Sequence, residues 1–240
     1  MITTQDHLGI GIYTPAEAAF YARVSPRIMS RWVFGDSGSK PVIEKQLKDS
    51  EEKIVTFLDF VQTLAVREVR HRHGLPLQRI RQGVDEAQKR YNLDYPLACL
   101  HRIFLFSDQQ RQGHGEIAIR LESDQEGVEE YVQLTGRARG NRLIQPVVEM
   151  FLTDLSFDPE TRLATQYRPM RENGLCVLLD PHRRFGEPLI DPSGYTAEAL
   201  WHATNTEGGL EAAAEAYGVS VEQVKLANKY YDSLLTREAV

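Results

Sequence analysis

Residues 14–35 read Thr-Pro-Ala-Glu-Ala-Ala-Phe-Tyr-Ala-Arg-Val-Ser-Pro-Arg-Ile-Met-Ser-Arg-Trp-Val-Phe-Gly, and they carry two helix starts in quick succession. Thr14 has a side-chain oxygen suited to an N-cap. Glu17 stands where a capping box closes, and Pro15 suits the first helical position, where no N–H is needed. Ser25 followed by Pro26 repeats the signal. The spacing predicts a helix from Pro15 to about Ala22, a turn at Arg23-Val24-Ser25 and a second helix ending at Gly35. In that second helix Ile28 and Trp32 lie four apart and share a face, which packs on the small alanines of the first. Arg27, Ser30 and Arg31 project elsewhere. Two guanidinium groups four residues apart on a short capped helix are what a DNA major groove receives, because arginine meets a guanine edge with two donors at once.

Working outward, Asp36-Ser37-Gly38-Ser39-Lys40-Pro41 is turn material followed by Val42 and Ile43, which predicts a short hairpin or wing. Lys40 and Lys45 on such a wing, and Arg23 in the preceding turn, are placed to meet phosphates rather than bases. A third start at Thr56, with Asp59 at its capping-box position, opens an amphipathic run from Phe57 that ends near Gly74. A fourth helix from Pro76 carries Leu77, Ile80, Val84 and Ala87 at helical spacing, with Arg79 and Arg81 outward. Residues 1–95 therefore form a helical N-terminal module.

From Pro96 the period changes. Ala98 to Phe106 and Glu116 to Leu121 read as a hairpin, Val128 to Leu134 as a strand, and Asn141 to Leu152 as a helix. Arg162 to Tyr167 and Leu175 to Leu179 read as further strands. The end returns to helices: one after Thr196, one over Leu210 to Tyr217, and one over Val221 to Leu235 with Ser220 as its cap. The expected architecture is α+β, with a winged helix-turn-helix module over 1–95, a central α+β domain over 96–179 and a trihelical C-terminal domain over 180–240.

Charge sharpens the division. The whole chain carries −6, but 1–95 holds 14 basic against 12 acidic residues, 96–190 holds 11 against 14, and 191–240 holds 3 against 8. A DNA-facing surface therefore belongs to the first module, and the acidic tail suits a structural or protein-binding role. No run of about 18 apolar residues is present to span a bilayer, and the N-terminus lacks a signal-peptide pattern, so a cytoplasmic protein without membrane contact is expected. Cys99 and Cys176 lie far apart, outside metal-binding spacing, and read as small apolar residues.

No catalytic constellation stands at diagnostic spacing, so the chain is not expected to be an enzyme or to hold a cofactor or metal. His71 and His73 flank Arg72, but positions two apart on a helix diverge; cations there favour the C-terminal dipole. His114, between two glycines, marks a hairpin tip. Gly136-Arg137-Ala138-Arg139-Gly140 lacks the lysine of a nucleotide-binding loop and reads as a basic loop.

Tyr13 to Gly35, YTPAEAAFYARVSPRIMSRWVFG, resembles the winged helix-turn-helix of MerR-like regulators. The later segments LLDPHRRFGEPLI (178–190) and GGLEAAAEAYGVSVEQVKLANKYYD (208–232) resemble domain-of-unknown-function family 433. In that family a basic turn often follows the Phe-Gly-X-Pro element; here Ile190-Asp191-Pro192-Ser193-Gly194-Tyr195 stands instead, and no role of that turn carries over. The resemblance, which spans nearly the full chain, implies a bacterial VapB-type antitoxin. Such a protein neutralises a PIN-domain ribonuclease toxin and represses its own promoter as a homodimer on a palindromic operator. The alternative is a ligand-responsive transcriptional regulator with no toxin partner, its pocket in the middle region.

Overall fold

The computed structural model describes residues 9–48, 50–99, 103–106, 116–121, 130–135, 140, 142–143, 148–149 and 154–236. The helical start follows from its caps. Thr14 and Glu17 form a complete capping box for α1 (Pro15–Tyr21), and the Ser25 hydroxyl accepts from the Ile28 N–H to open α2 (Pro26–Phe34). A second full box, Thr56 with Asp59, starts α3 (Phe57–His73), which stops at the left-handed Gly74. α4 (Leu77–Tyr91) follows at once and buries Ile80, Gly83, Val84 and Ala87 on one face. Met29, Trp32 and Val33 are the residues of α2 that reach the core, while Ile28 is half-buried. The stripe is thus centred one position from the predicted Ile28/Trp32 pair.

The chain then builds two antiparallel sheets. In the first, the order is β4 (Arg142–Leu143), β3 (Glu130–Gln133), β2 (Glu116–Leu121), β1 (Ile103–Phe106) and β5 (Val148–Glu149). Where a helix is expected over Asn141 to Leu152, the described residues 142–143 and 148–149 are strand, paired to β3 and β1, and residues 141, 144–147 and 150–152 lie outside the described set. The physical reason is in the segment itself, where Pro146 removes a helical donor and the β-branched Val147 and Val148 favour extended backbone. Of the expected strand from Ala98, Ala98 instead ends a 3-10 turn at Pro96–Ala98, residues 103–106 are strand, and residues 100–102 lie outside the described set. The His114 tip and the basic loop at 136–139 fall outside the described residues.

The second sheet is a meander of β6 (Leu155–Phe157), β7 (Ala164–Glu172), β8 (Leu175–Leu179), β9 (Leu189–Asp191) and β10 (Tyr195–Thr196). It passes through position 179/180, where the sequence marks a domain boundary. Three helices close the chain: α5 (Ala197–Thr206), α6 (Leu210–Tyr217) and α7 (Val221–Leu235), the last opened by a Ser220–Gln223 capping box.

α7 packs on β8 and β9, and α3 packs on β7, so one continuous apolar core runs from Tyr13 to Leu234. A clasp reinforces that union. The Ile12 N–H donates to the Phe185 carbonyl at 3.1 Å, and the Tyr13 hydroxyl donates to the Gly186 carbonyl at 2.8 Å. Asp180 holds the base of the same loop, accepting from the His182 N–H at 2.9 Å and from Gln166 Nε2 at 2.8 Å. Among the described residues no helix is long and apolar enough to cross a membrane.

Candidate nucleic-acid interface

α2 stands with one face committed to the core, Trp32 being 3% exposed, and with Arg27 and Arg31 exposed on the other side. Ser30, between them, is half-buried. The two arginines are therefore held at fixed positions by a buried anchor, while their guanidinium groups stay in solvent. This is the arrangement a groove-reading helix requires.

The loop after α2 is a compact turn rather than a stranded wing. Asp36 and Ser39 exchange backbone hydrogen bonds at 2.9 and 3.2 Å, and Gly35, at φ 78°, admits the close approach of the Ser39 carbonyl. Val42 N–H donates to the Trp32 carbonyl at 2.7 Å, satisfying a carbonyl in the last turn of α2. Arg81 on α4 fixes the loop from the other side, its Nε donating to the carbonyls of Lys40 at 3.0 Å and Pro41 at 3.2 Å. Lys40 itself is exposed. The loop is thus tied to both helices, with its lysine free to meet an anion.

Arg31 joins helix to loop: Nε lies 3.2 Å from Asp36 Oδ2, and Nη2 donates to Ser39 Oγ at 3.2 Å. Both side chains of the ion pair are about half exposed, so the pair is worth roughly 0–1 kcal/mol.

The five candidate positions do not form one cluster. Arg27, Ser30 and Arg31 share α2, and Lys40 adjoins them through the turn. Arg23, at φ 54°, reaches instead toward α7, where Nη2 donates to Ser233 Oγ at 2.7 Å. Its guanidinium is exposed and acts electrostatically on Tyr230 and Tyr167.

No sequence motif singles out Lys53. In the structure Lys45 Nζ lies 5.9 Å and Lys53 Nζ 5.8 Å from the centre of the Phe34 ring, so two ammonium groups cap the C-terminal end of α2. Lys53 is brought there by the loop connecting to α3, and no local spacing signals it. Among the described residues no three His, Cys, Asp or Glu side chains gather to hold a metal ion, and neither Cys99 nor Cys176 forms a disulfide.

No protein-family model matches the chain. Two curated proteins of Mycobacterium tuberculosis are similar over almost its whole length. The one named "Putative antitoxin VapB45" is 25% identical over 230 residues, covering 90% of this chain and 92% of its own. The uncharacterized protein Rv2308 is 26% identical over 234 residues, covering 91% and 89%. Among solved structures, the crystal structure of Rv2018 from the same organism shares the fold, with a TM-score of 0.60 at 22% identity over 92% of this chain and 99% of that one.

Proposed function

We propose that this chain is the antitoxin of a toxin–antitoxin pair that binds DNA through the exposed face of α2. The antitoxin role is supported by the end-to-end similarity to a protein bearing that name, since a match over nine-tenths of both chains includes the tail as well as the common N-terminal motif. The DNA role is carried by one observation: Arg27 and Arg31 stand exposed on a capped helix whose opposite face is locked into the core by Trp32.

In this reading Arg27, Ser30 and Arg31 meet base edges, Lys40 meets phosphate, and the exposed nitrogens of Arg23 add a second backbone contact. The first module carries a formal charge of only +2. A single copy is then a weak binder, and two copies on a palindrome supply the affinity through their linked contacts. The partner to be neutralised is a ribonuclease toxin of the PIN type. The acidic tail, with 3 basic against 8 acidic residues, offers charge complementary to a surface that binds the RNA polyanion. No catalytic activity is assigned to the chain.

A gel-shift titration with DNA from upstream of the chain's own gene tests the first half. Arg27→Ala with Arg31→Ala should abolish the shifted band while thermal unfolding stays unchanged; an undiminished shift would remove α2 from the interface. Co-expression with the neighbouring gene product tests the second half. Failure to co-purify a nuclease, with no relief of its toxicity, would end the antitoxin assignment.

A further inference from the structure

A cavity of about 260 Å³ opens between the start of α1 and the loop at 185–187, away from the arginine face of α2, and is lined by Ile12, Tyr13, Glu17, Tyr21, Phe185 and Glu187. Its walls are aromatic. The Tyr13 and Tyr21 rings meet edge-on with centres 6.1 Å apart, and Phe185, 55% exposed, stands at the mouth although a phenyl ring gains nothing from water. Its rim carries two carboxylates. Glu17 accepts from the Thr14 N–H and hydroxyl, both through Oε2; the Glu187 backbone N–H donates to the Arg184 carbonyl at 3.0 Å, and its carboxylate has no hydrogen bond or ion pair among the described residues.

Each group feels the others. Glu187 is pushed above its ordinary range first by partial burial, then by Glu17 and Glu198, with Arg184 opposing. Tyr21 is held protonated by burial and by the same three carboxylates. The wall thus combines ring faces, negative at their centres, with acid groups that repel one another and that Arg184, acting on Glu187, only partly offsets.

We infer that this cavity is a binding site for an organic cation, a guanidinium or primary ammonium group on a short aliphatic stem. Ring faces and carboxylates both attract such a group, and Ile12 offers an apolar wall for the stem. Its volume lies below the roughly 300–1,000 Å³ that drug-sized ligands fill, which suits a single side chain or a small polyamine. Nucleic acid is excluded by charge. The site is open on one side, which suits a group presented by another protein, as an arginine or lysine side chain is.

The test uses the full chain, ¹⁵N-labelled, with three probes: acetyl-arginine-methylamide, its neutral isostere acetyl-citrulline-methylamide, and agmatine. Both cations should shift the amide signals of Tyr21, Gly186 and Glu187 saturably, and the citrulline probe should not. Glu187→Gln and Phe185→Ala should each weaken binding about fivefold. Glu187→Gln leaves the clasp untouched, and its melting temperature verifies the fold. Tighter binding of the capped arginine assigns the site to a protein side chain; tighter binding of agmatine assigns it to a free metabolite. Non-saturating shifts, equal binding of citrulline, or wild-type affinity in Glu187→Gln would overturn the proposal. The probes contain neither DNA nor toxin, so this outcome stands apart from that of the antitoxin reading.

Discussion

Gly186→Ala is the substitution that most directly tests how the two halves of the chain are joined. Gly186 sits at φ 92°, and a Cβ there would lie 2.2 Å from the Tyr13 hydroxyl oxygen and 2.9 Å from Cζ. Tyr13 has no room to withdraw, being 2% exposed, with its ring 5.5 Å from Phe60 and 6.1 Å from Tyr21. The left-handed backbone costs an L-residue roughly 1–2 kcal/mol. Overpacking adds about 1–3 kcal/mol, and loss of the 2.8 Å hydrogen bond from Tyr13 about 0.5–1.5 kcal/mol. The expected total is about 4 kcal/mol.

Tyr13→Phe alone removes only the hydrogen bond and should cost about 1 kcal/mol. In the double variant the worst overlap is gone and the hydrogen bond is lost once rather than twice. It should therefore be more stable than the sum of the single effects by about 1–2 kcal/mol. Urea unfolding followed by circular dichroism gives all three values. Additivity within about 0.5 kcal/mol, or a Gly186→Ala protein as stable as wild type, would refute the clasp.

Other consequences are as specific. Asp59, fully buried, is pushed up to about 6, chiefly by desolvation, against the hydrogen bonds it accepts from Thr56 and Gln46. The native state thus binds its proton more tightly than the unfolded chain, whose value is 3.8. Stability from this group is full below about pH 4 and declines as pH rises toward 6, by up to about 3 kcal/mol. Asp59→Asn should flatten that slope in urea titrations, and an unchanged slope would discount the burial effect. Single replacement of Arg27 or Arg31 by alanine should weaken operator binding about 5- to 150-fold, whereas Lys40→Ala should instead lower the salt dependence by about one unit of slope; identical salt slopes in all three would contradict the division of roles. A chain ending at Leu179 should bind a hydrophobic dye and show no cooperative melt, because α7 residues Tyr230 and Leu234 belong to the common core; a sharp transition would show that the remaining part folds alone.

The helices were readable because their signals are local. Thr14, Ser25, Thr56 and Ser220 each act within three residues, and the structure shows every one of these caps. Leu175 to Leu179 and Val221 to Leu235 emerge with the predicted ends. The segment at 141–152 was harder to read, because its apolar residues lack a decisive period that would separate helix from strand. The α2 face was readable for the arginines, whose four-residue spacing is a property of the helix itself. The partners they and their neighbours meet were not. Ser233 lies 210 positions from Arg23, and Lys53 reaches Phe34 through a loop. The cavity at Phe185 is invisible for the same reason, since its two sides lie more than 160 residues apart in the chain.

The union of both chain ends also sets an order of events during synthesis. α1 leaves the ribosome first, but its covering groups are made last: Tyr231 sets its ring 5.6 Å from Phe20, and Ser233 accepts from Arg23. At about 5–20 residues per second, the wait is roughly 10–40 s. Through that interval Phe20, Tyr13 and the apolar sides of α1 and α3 stay open to proteases and chaperones, and a message cut short before α7 yields a product that never closes. The N-terminal helices are made first and finished last.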